Sequence, residues 1–116
     1  MKILVYLLNY AATHPNTKVC FYRSNMILYA HSDDLYLSIS KTRSRAGGFF
    51  FLANNIKSLE YAKPNGAMHT ISTILKNVMS SVAETEIAAT FDNVKEAIPL
   101  RHTLKLLEHD QPSTSI

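Results

Sequence analysis

Five consecutive residues, Phe49-Phe50-Phe51-Leu52-Ala53, form an unbroken apolar run bounded by Gly47-Gly48 and Asn54-Asn55. A run this short, fenced by turn residues, predicts a central strand buried on both faces. At least one of those faces must be covered by a helix, so the expected fold class is α/β: a mixed sheet with helices packed on it. Three exposed rings in a row would be a sticky surface, and the phenylalanines are therefore read as core rather than as a stacking platform. A chain of 116 residues that is 47% hydrophobic and 18% charged is globular and large enough to bury such a core in one domain.

The helix to cover that strand is predicted to start at Ser81. Ser81 and Glu84 fit a capping box, in which each side chain satisfies an orphan amide of the first turn. Behind them Ile87, Phe91, Val94 and Ile98 recur at helical spacing, an apolar stripe suited to lie on a sheet. Pro99 is expected to end or kink this helix, with a second helix over residues 101–108.

Upstream, residues 1–12 carry apolar side chains at helical spacing and predict a helix with one buried face, stopped by Thr13-His14-Pro15-Asn16. Residues 18–22 and 26–31 read as two strands of a hairpin turning at Arg23-Ser24-Asn25, with Cys20 as a buried thiol in the first. Residues 35–46 read as a polar, basic loop containing Lys41, Arg43 and Arg45. Residues 56–62 are ambiguous, Lys63-Pro64-Asn65-Gly66 is a turn, and residues 67–73 are a further candidate strand. The tail from Asp110 reads as irregular.

Composition narrows the function classes. One cysteine excludes an internal disulfide or a cysteine metal cluster, and five scattered histidines argue against a zinc site. The lone thiol fits a reducing, intracellular setting, cytoplasmic or nuclear. The apolar run Ile3–Leu8 is short for a signal peptide, and no stretch approaches the ~18 apolar residues of a membrane span. A net charge of +3 permits a nucleic-acid partner without demonstrating one.

The chemistry is carried by acids. Ser32-Asp33-Asp34 is expected to end a strand with its oxygens at the carboxyl end, a familiar way to hold a hard divalent cation such as Mg²⁺ or Mn²⁺. Glu86, beside the apolar stripe, is placed to reach the rim of the sheet from the helix. Asp33 and Glu86 are the candidate ligands, with Asp34 as a neighbour. Lys41, Arg43 and Arg45 are candidates for phosphate contacts, the competing reading being a solvated loop.

At these residues the chain resembles a known family, the ribonuclease H domain that follows the reverse transcriptase in Ty1/copia-type retrotransposon polyproteins. The matching segments begin with Tyr6-Leu7 and Thr13, followed by His31-Ser32-Asp33-Asp34, where the family has Ser-Asp-Ala after a hydrophobic strand. Next comes Arg43-Ser44-Arg45-Ala46-Gly47-Gly48-Phe49-Phe50-Phe51-Leu52, close to the family's Arg-Ser-x-x-Gly-x-x-Phe-x-Leu. Last is Ser80-Ser81-Val82-Ala83-Glu84-Thr85-Glu86-Ile87-Ala88-Ala89, close to its Ser-Ser-x-x-Glu-Ala-Glu-Tyr-x-Ala. The resemblance implies a linker-type helix and turn over residues 1–16 and a partial ribonuclease-H-like domain over residues 17–116. It implies metal-dependent hydrolysis of RNA in RNA–DNA hybrids, with the family's first catalytic aspartate falling on Asp33 and its helix glutamate on Glu86. Glu84 suits the cap better than the metal.

One departure shapes the expectation. The family's third carboxylate comes from an Asp-Asn pair on a strand after the helices, and this sequence stops at Ile116, about where that strand should begin. Asp92-Asn93 imitates the pair, but lies about 9 Å along the helix from Glu86 and is read as surface. The expected molecule is an incomplete ribonuclease-H-like fold, inactive or nearly so. The alternative is a non-catalytic module that uses its basic surface to hold nucleic acid or a protein partner. The strand at 26–31, lacking its neighbour, is expected to leave an unpaired edge open to self-association.

Overall fold

The computed structural model describes residues 1–55, 61–114 and 116, apart from the side chains at positions 38 and 39. Two long antiparallel strands, β1 (Ile27–Ile39) and β2 (Arg43–Ala53), form one hairpin closed by Ser40-Lys41-Thr42. A third strand, β3 (His69–Ile74), pairs antiparallel with the other edge of β2, giving the order β1-β2-β3. One helix, α1 (Lys2–Thr13), precedes the sheet, and a second, α2 (Val82–Leu106), packs across β1 and β2. This is a small α/β fold, with the predicted apolar run at its centre: Phe50 and Phe51 in β2 are fully buried. The described strands are antiparallel throughout rather than mixed; between β1 and β2 the three-residue turn permits no other pairing.

Several expectations change. Residues 18–22 form no strand, Cys20 is exposed, and the hairpin lies one segment later than predicted. The predicted loop at 35–46 is mostly strand: β1 continues through its hydroxyl-rich end, and β2 begins at Arg43. Periodicity is masked there because the outer positions are polar, while Ser44 and Ala46 turn inward and are buried. Gly47 and Gly48 accordingly lie within β2 rather than before it. The ambiguity at 56–62 falls largely on residues 56–60, outside the described residues.

The side chains of β1 and β2 divide by alternation into two layers. Leu28, Ala30 and Phe50 face α2 and meet Ala97 and Leu104, with Leu100 packed alongside. Ala46 meets Ala89 farther along the same face. Tyr29 and Phe51 point to the opposite face, where Ile27, Ala53 and Phe49 complete a second cluster with Ala62. Burying each large side chain contributes about 1.5–3 kcal/mol.

The face that α2 turns to the sheet is not the one its hydrophobicity predicted. Thr85, Ala89, Asn93, Ala97 and Leu104 are buried. Ile87, Phe91, Val94 and Ile98 remain 71%, 62%, 37% and 61% exposed, roughly 140° around the helix. Small residues win the inner face because they let the helix approach the glycines of β2 closely. Asn93 then fills the contact with hydrogen bonds: its Nδ2 donates to Ser32 Oγ at 2.9 Å, Gly47 O at 3.0 Å and Ala89 O at 2.9 Å.

α2 is also a single helix, with Pro99 inside it and no break before Leu106. Proline removes one amide donor and costs about 3 kcal/mol in a helix interior. Ala97, Leu100 and Leu104 pack on the sheet from both sides of the proline, and that burial outweighs the lost bond. α1 forms as predicted, but its expected buried face is absent: no residue of the helix is buried.

The free edge of β1 is partly covered, which corrects the expectation of a bare row of backbone groups. Leu28 N donates to Gln111 Oε1 at 3.0 Å, and Gln111 Nε2 donates to Met26 O at 2.7 Å. The side-chain amide thus stands in for two rungs of a neighbouring strand. Arg101 fastens this segment by donating to Gln111 O at 3.3 Å, to Pro112 O and to Thr114 Oγ1 at 2.7 Å.

Candidate functional site

Asp33 and Asp34 sit inside β1 rather than at its end, opposite Gly47 and Ala46 of β2. The strand continues because hydrophobic and hydroxyl residues beyond the acids keep it paired with β2. Small residues opposite the two carboxylates leave open space beside them. Asp33 Oδ1 accepts from Asp34 N at 2.9 Å.

From α2, Glu86 approaches on the flank that overhangs β1. Ser32, Asp33, Asp34, Glu86, Ala89 and Thr90 line one cavity of about 180 Å³. Strand alternation sorts the two aspartates: Ser32, bonded to Asn93 of α2, shares its face with Asp34, while Asp33 shares the opposite face with His31 and Tyr29. A second cavity, of about 190 Å³, is lined by Asp33, Leu35, Arg45, Gly47 and Ser72 on that face, and also borders Asp34 and Ala46. The two acids therefore form a partition between the helix side and the open side of the sheet.

The remaining acids have other tasks. Ser81 caps α2, its Oγ accepting from Glu84 N at 3.2 Å. The reciprocal half of the predicted box reaches one residue further back: Glu84 Oε2 accepts from Ser80 N at 2.7 Å and Ser80 Oγ at 2.6 Å. These two bonds hold the Glu84 carboxyl below its ordinary pKa. Asp92 lies on the opposite flank of α2 from Glu86, toward β3, and pairs with Lys95 at 3.6 Å. His31 packs edge-on against Phe51, 5.2 Å between centroids. Among the described residues, no group of three or more His, Cys, Asp or Glu is placed to hold a metal ion together.

The basic residues fall in a row along the tip of the hairpin. Lys41 is exposed in the turn, with a left-handed φ of 67°. Arg43 and Arg45 follow two residues apart on β2, so they share the face on which Asp33 stands. Arg45 Nη1 donates to Ser72 Oγ at 3.0 Å, and Arg43 is half-buried with its Nε unpartnered.

Asn93 and Gln111, which tie α2 and the tail to β1, escaped the sequence reading. The signal for Asn93 was the series Thr85, Ala89, Asn93, Ala97, four small or polar residues at intervals of one turn. Gln111 carries no comparable local signal, since Leu28 and Met26, which its side chain holds, lie more than eighty residues away.

Comparison of the chain with protein-family models, curated proteins and solved structures gives no match. Among the described residues, no helix is long and apolar enough to cross a membrane.

Proposed function

We propose that the chain carries a ribonuclease-H-like fold of retroelement type, whose acidic cavity among the described residues is an incomplete divalent-cation site. In this reading it binds nucleic acid and cations weakly and does not hydrolyse RNA–DNA hybrids at a useful rate by itself. The observation that carries it is the shared cavity, to which β1 brings Asp33 and Asp34 and α2 brings Glu86.

The donors suit Mg²⁺ or Mn²⁺ in kind, because carboxylate oxygen is a hard ligand. They fall short in number, since two-metal hydrolysis needs ligands to fix two ions about 3.5–4 Å apart. Glu86 shares the helix side of β1 with Asp34 while Asp33 stands on the other face, so the three acids would hold one ion at most. A bound ion would supply charge neutralisation for a phosphate, and no hydrolytic step follows from these residues alone. Lys41, Arg43 and Arg45 suit the backbone of a hybrid, and the placing of Arg43 and Arg45 on one face of β2, next to Lys41 in the turn, also favours a second reading, a purely nucleic-acid-binding module.

Mn²⁺ titration followed by paramagnetic resonance, together with a hybrid-cleavage assay, tests the proposal. Weak Mn²⁺ binding that falls further in Asp33→Ala and Glu86→Gln, without cleavage, is the expected result. Robust cleavage abolished by Asp33→Ala would overturn the claim of incompleteness. Mn²⁺ binding unchanged by both substitutions would overturn the site and leave the binding module.

A further inference from the structure

Two apolar helix faces of this chain lie uncovered. On α1, Ile3, Leu4, Leu7 and Leu8 are 84%, 52%, 62% and 59% exposed. On α2 the outward stripe of Ile87, Phe91, Val94 and Ile98 is open to a similar degree. The faces match in length: α1 has 12 residues, about 18 Å, and the stripe from Ile87 to Ile98 spans roughly 16 Å. Beside the stripe, a groove of about 480 Å³ runs between α2 and β3, with Ile71, Leu75, Ala88 and Phe91 among its walls. A lone helix of this length is marginal in water, so α1 needs a surface to lie on.

We propose that two copies of the chain form a reciprocal dimer, in which α1 of each copy lies along the outer stripe and groove of α2 in the other. The area argument selects this occupant. Each large apolar side chain withdrawn from water hides on the order of 100 Å². One α1–stripe contact therefore covers on the order of 500 Å² in total, well short of the ~1,000 Å² that a specific interface requires. Two such contacts, related by a two-fold axis, reach that threshold, and the groove adds to it. A closed two-fold arrangement leaves neither face over to recruit a third copy.

Sedimentation equilibrium of the full chain reads the outcome, with helix content from circular dichroism as the check on folding. The wild-type chain is expected to be a dimer. Leu7→Glu and Phe91→Glu, both at exposed positions, are each expected to give folded monomers at the same concentration. Mixing the two variants in equal amounts is expected to leave them monomeric, because only one of the two contacts then joins an unaltered α1 to an unaltered α2, and one contact falls short of a specific interface. A monomeric wild type overturns the proposal, as does a variant that still dimerises. Recovery of dimer on mixing, or loss of the fold in either variant, overturns the reciprocal two-contact arrangement.

Discussion

Asn93 and Gly48 are matched to each other: a methyl group on Gly48 would lie 1.9 Å from Asn93 Oδ1 and 3.3 Å from the Phe50 ring. The buried amide makes its bonds to both long strands only because the facing strand residue has no side chain. Gly48→Ala should therefore cost about 1–3 kcal/mol by overpacking. The same change in an Asn93→Ala background should cost measurably less, since the obstructing oxygen is gone. Urea unfolding of the four proteins in this cycle checks the coupling, and additive losses would refute it.

Gln111 predicts a different kind of defect. In Gln111→Ala, Leu28 N–H and Met26 C=O lose their partners, and Leu28 is fully buried. An unsatisfied buried donor costs about 1–3 kcal/mol. Amide exchange at Leu28 should accelerate, and the uncovered edge should aggregate more readily. Exchange measured residue by residue, with light scattering over time, decides this.

Glu84 predicts a pH dependence at the start of α2. Its carboxyl is held below its ordinary value of 4.5, first by the Ser80 hydroxyl and then by the Ser80 amide. The stabilisation is therefore complete above pH 4.5 and fades as the pH falls through the lowered value. Thermal unfolding between pH 7 and pH 2 should show this loss in the wild type and a smaller one in Glu84→Gln. Identical profiles would mean that the cap has no energetic role.

The basic row predicts a salt effect. Replacing Lys41, Arg43 and Arg45 with alanine should weaken hybrid binding and flatten the slope of log affinity against log salt. The slope should fall by up to about 0.9 for each duplex phosphate that the protein no longer neutralises. An unchanged slope would make these residues ordinary surface charges.

The parts of the fold legible in the sequence were those with local causes. The apolar run at 49–53 needed only its own composition, and Ser81 needed only Glu84 three residues on. The packed face of α2 was not legible from hydrophobicity, because the glycines of β2 favoured Ala89 and Asn93 over the bulkier Ile87 and Phe91. Strand pairing beyond residue 35 was hidden by polar residues whose partners are fixed across the hairpin. At the candidate site, Asp33 and Glu86 were both named from sequence and do line one cavity. Their separation by strand alternation, with Asp34 on the helix side, could not be read before the register was known.

Register also determines where this chain can change length. Leu35 pairs with Arg45 and Ile39 with Arg43, so three residues of β1 bulge out against Ser44 alone. Ser44 Oγ takes the amide of Leu37 at 3.0 Å and anchors the irregularity from the partner strand. Residues inserted or deleted between positions 36 and 42 would be absorbed by the tip of the hairpin. Asp33 would stay opposite Gly47, and Ser32 would stay under Asn93. The bulge works as a slack loop in the chain, the point at which a foreign segment could be grafted without shifting a single pair in the sheet below it.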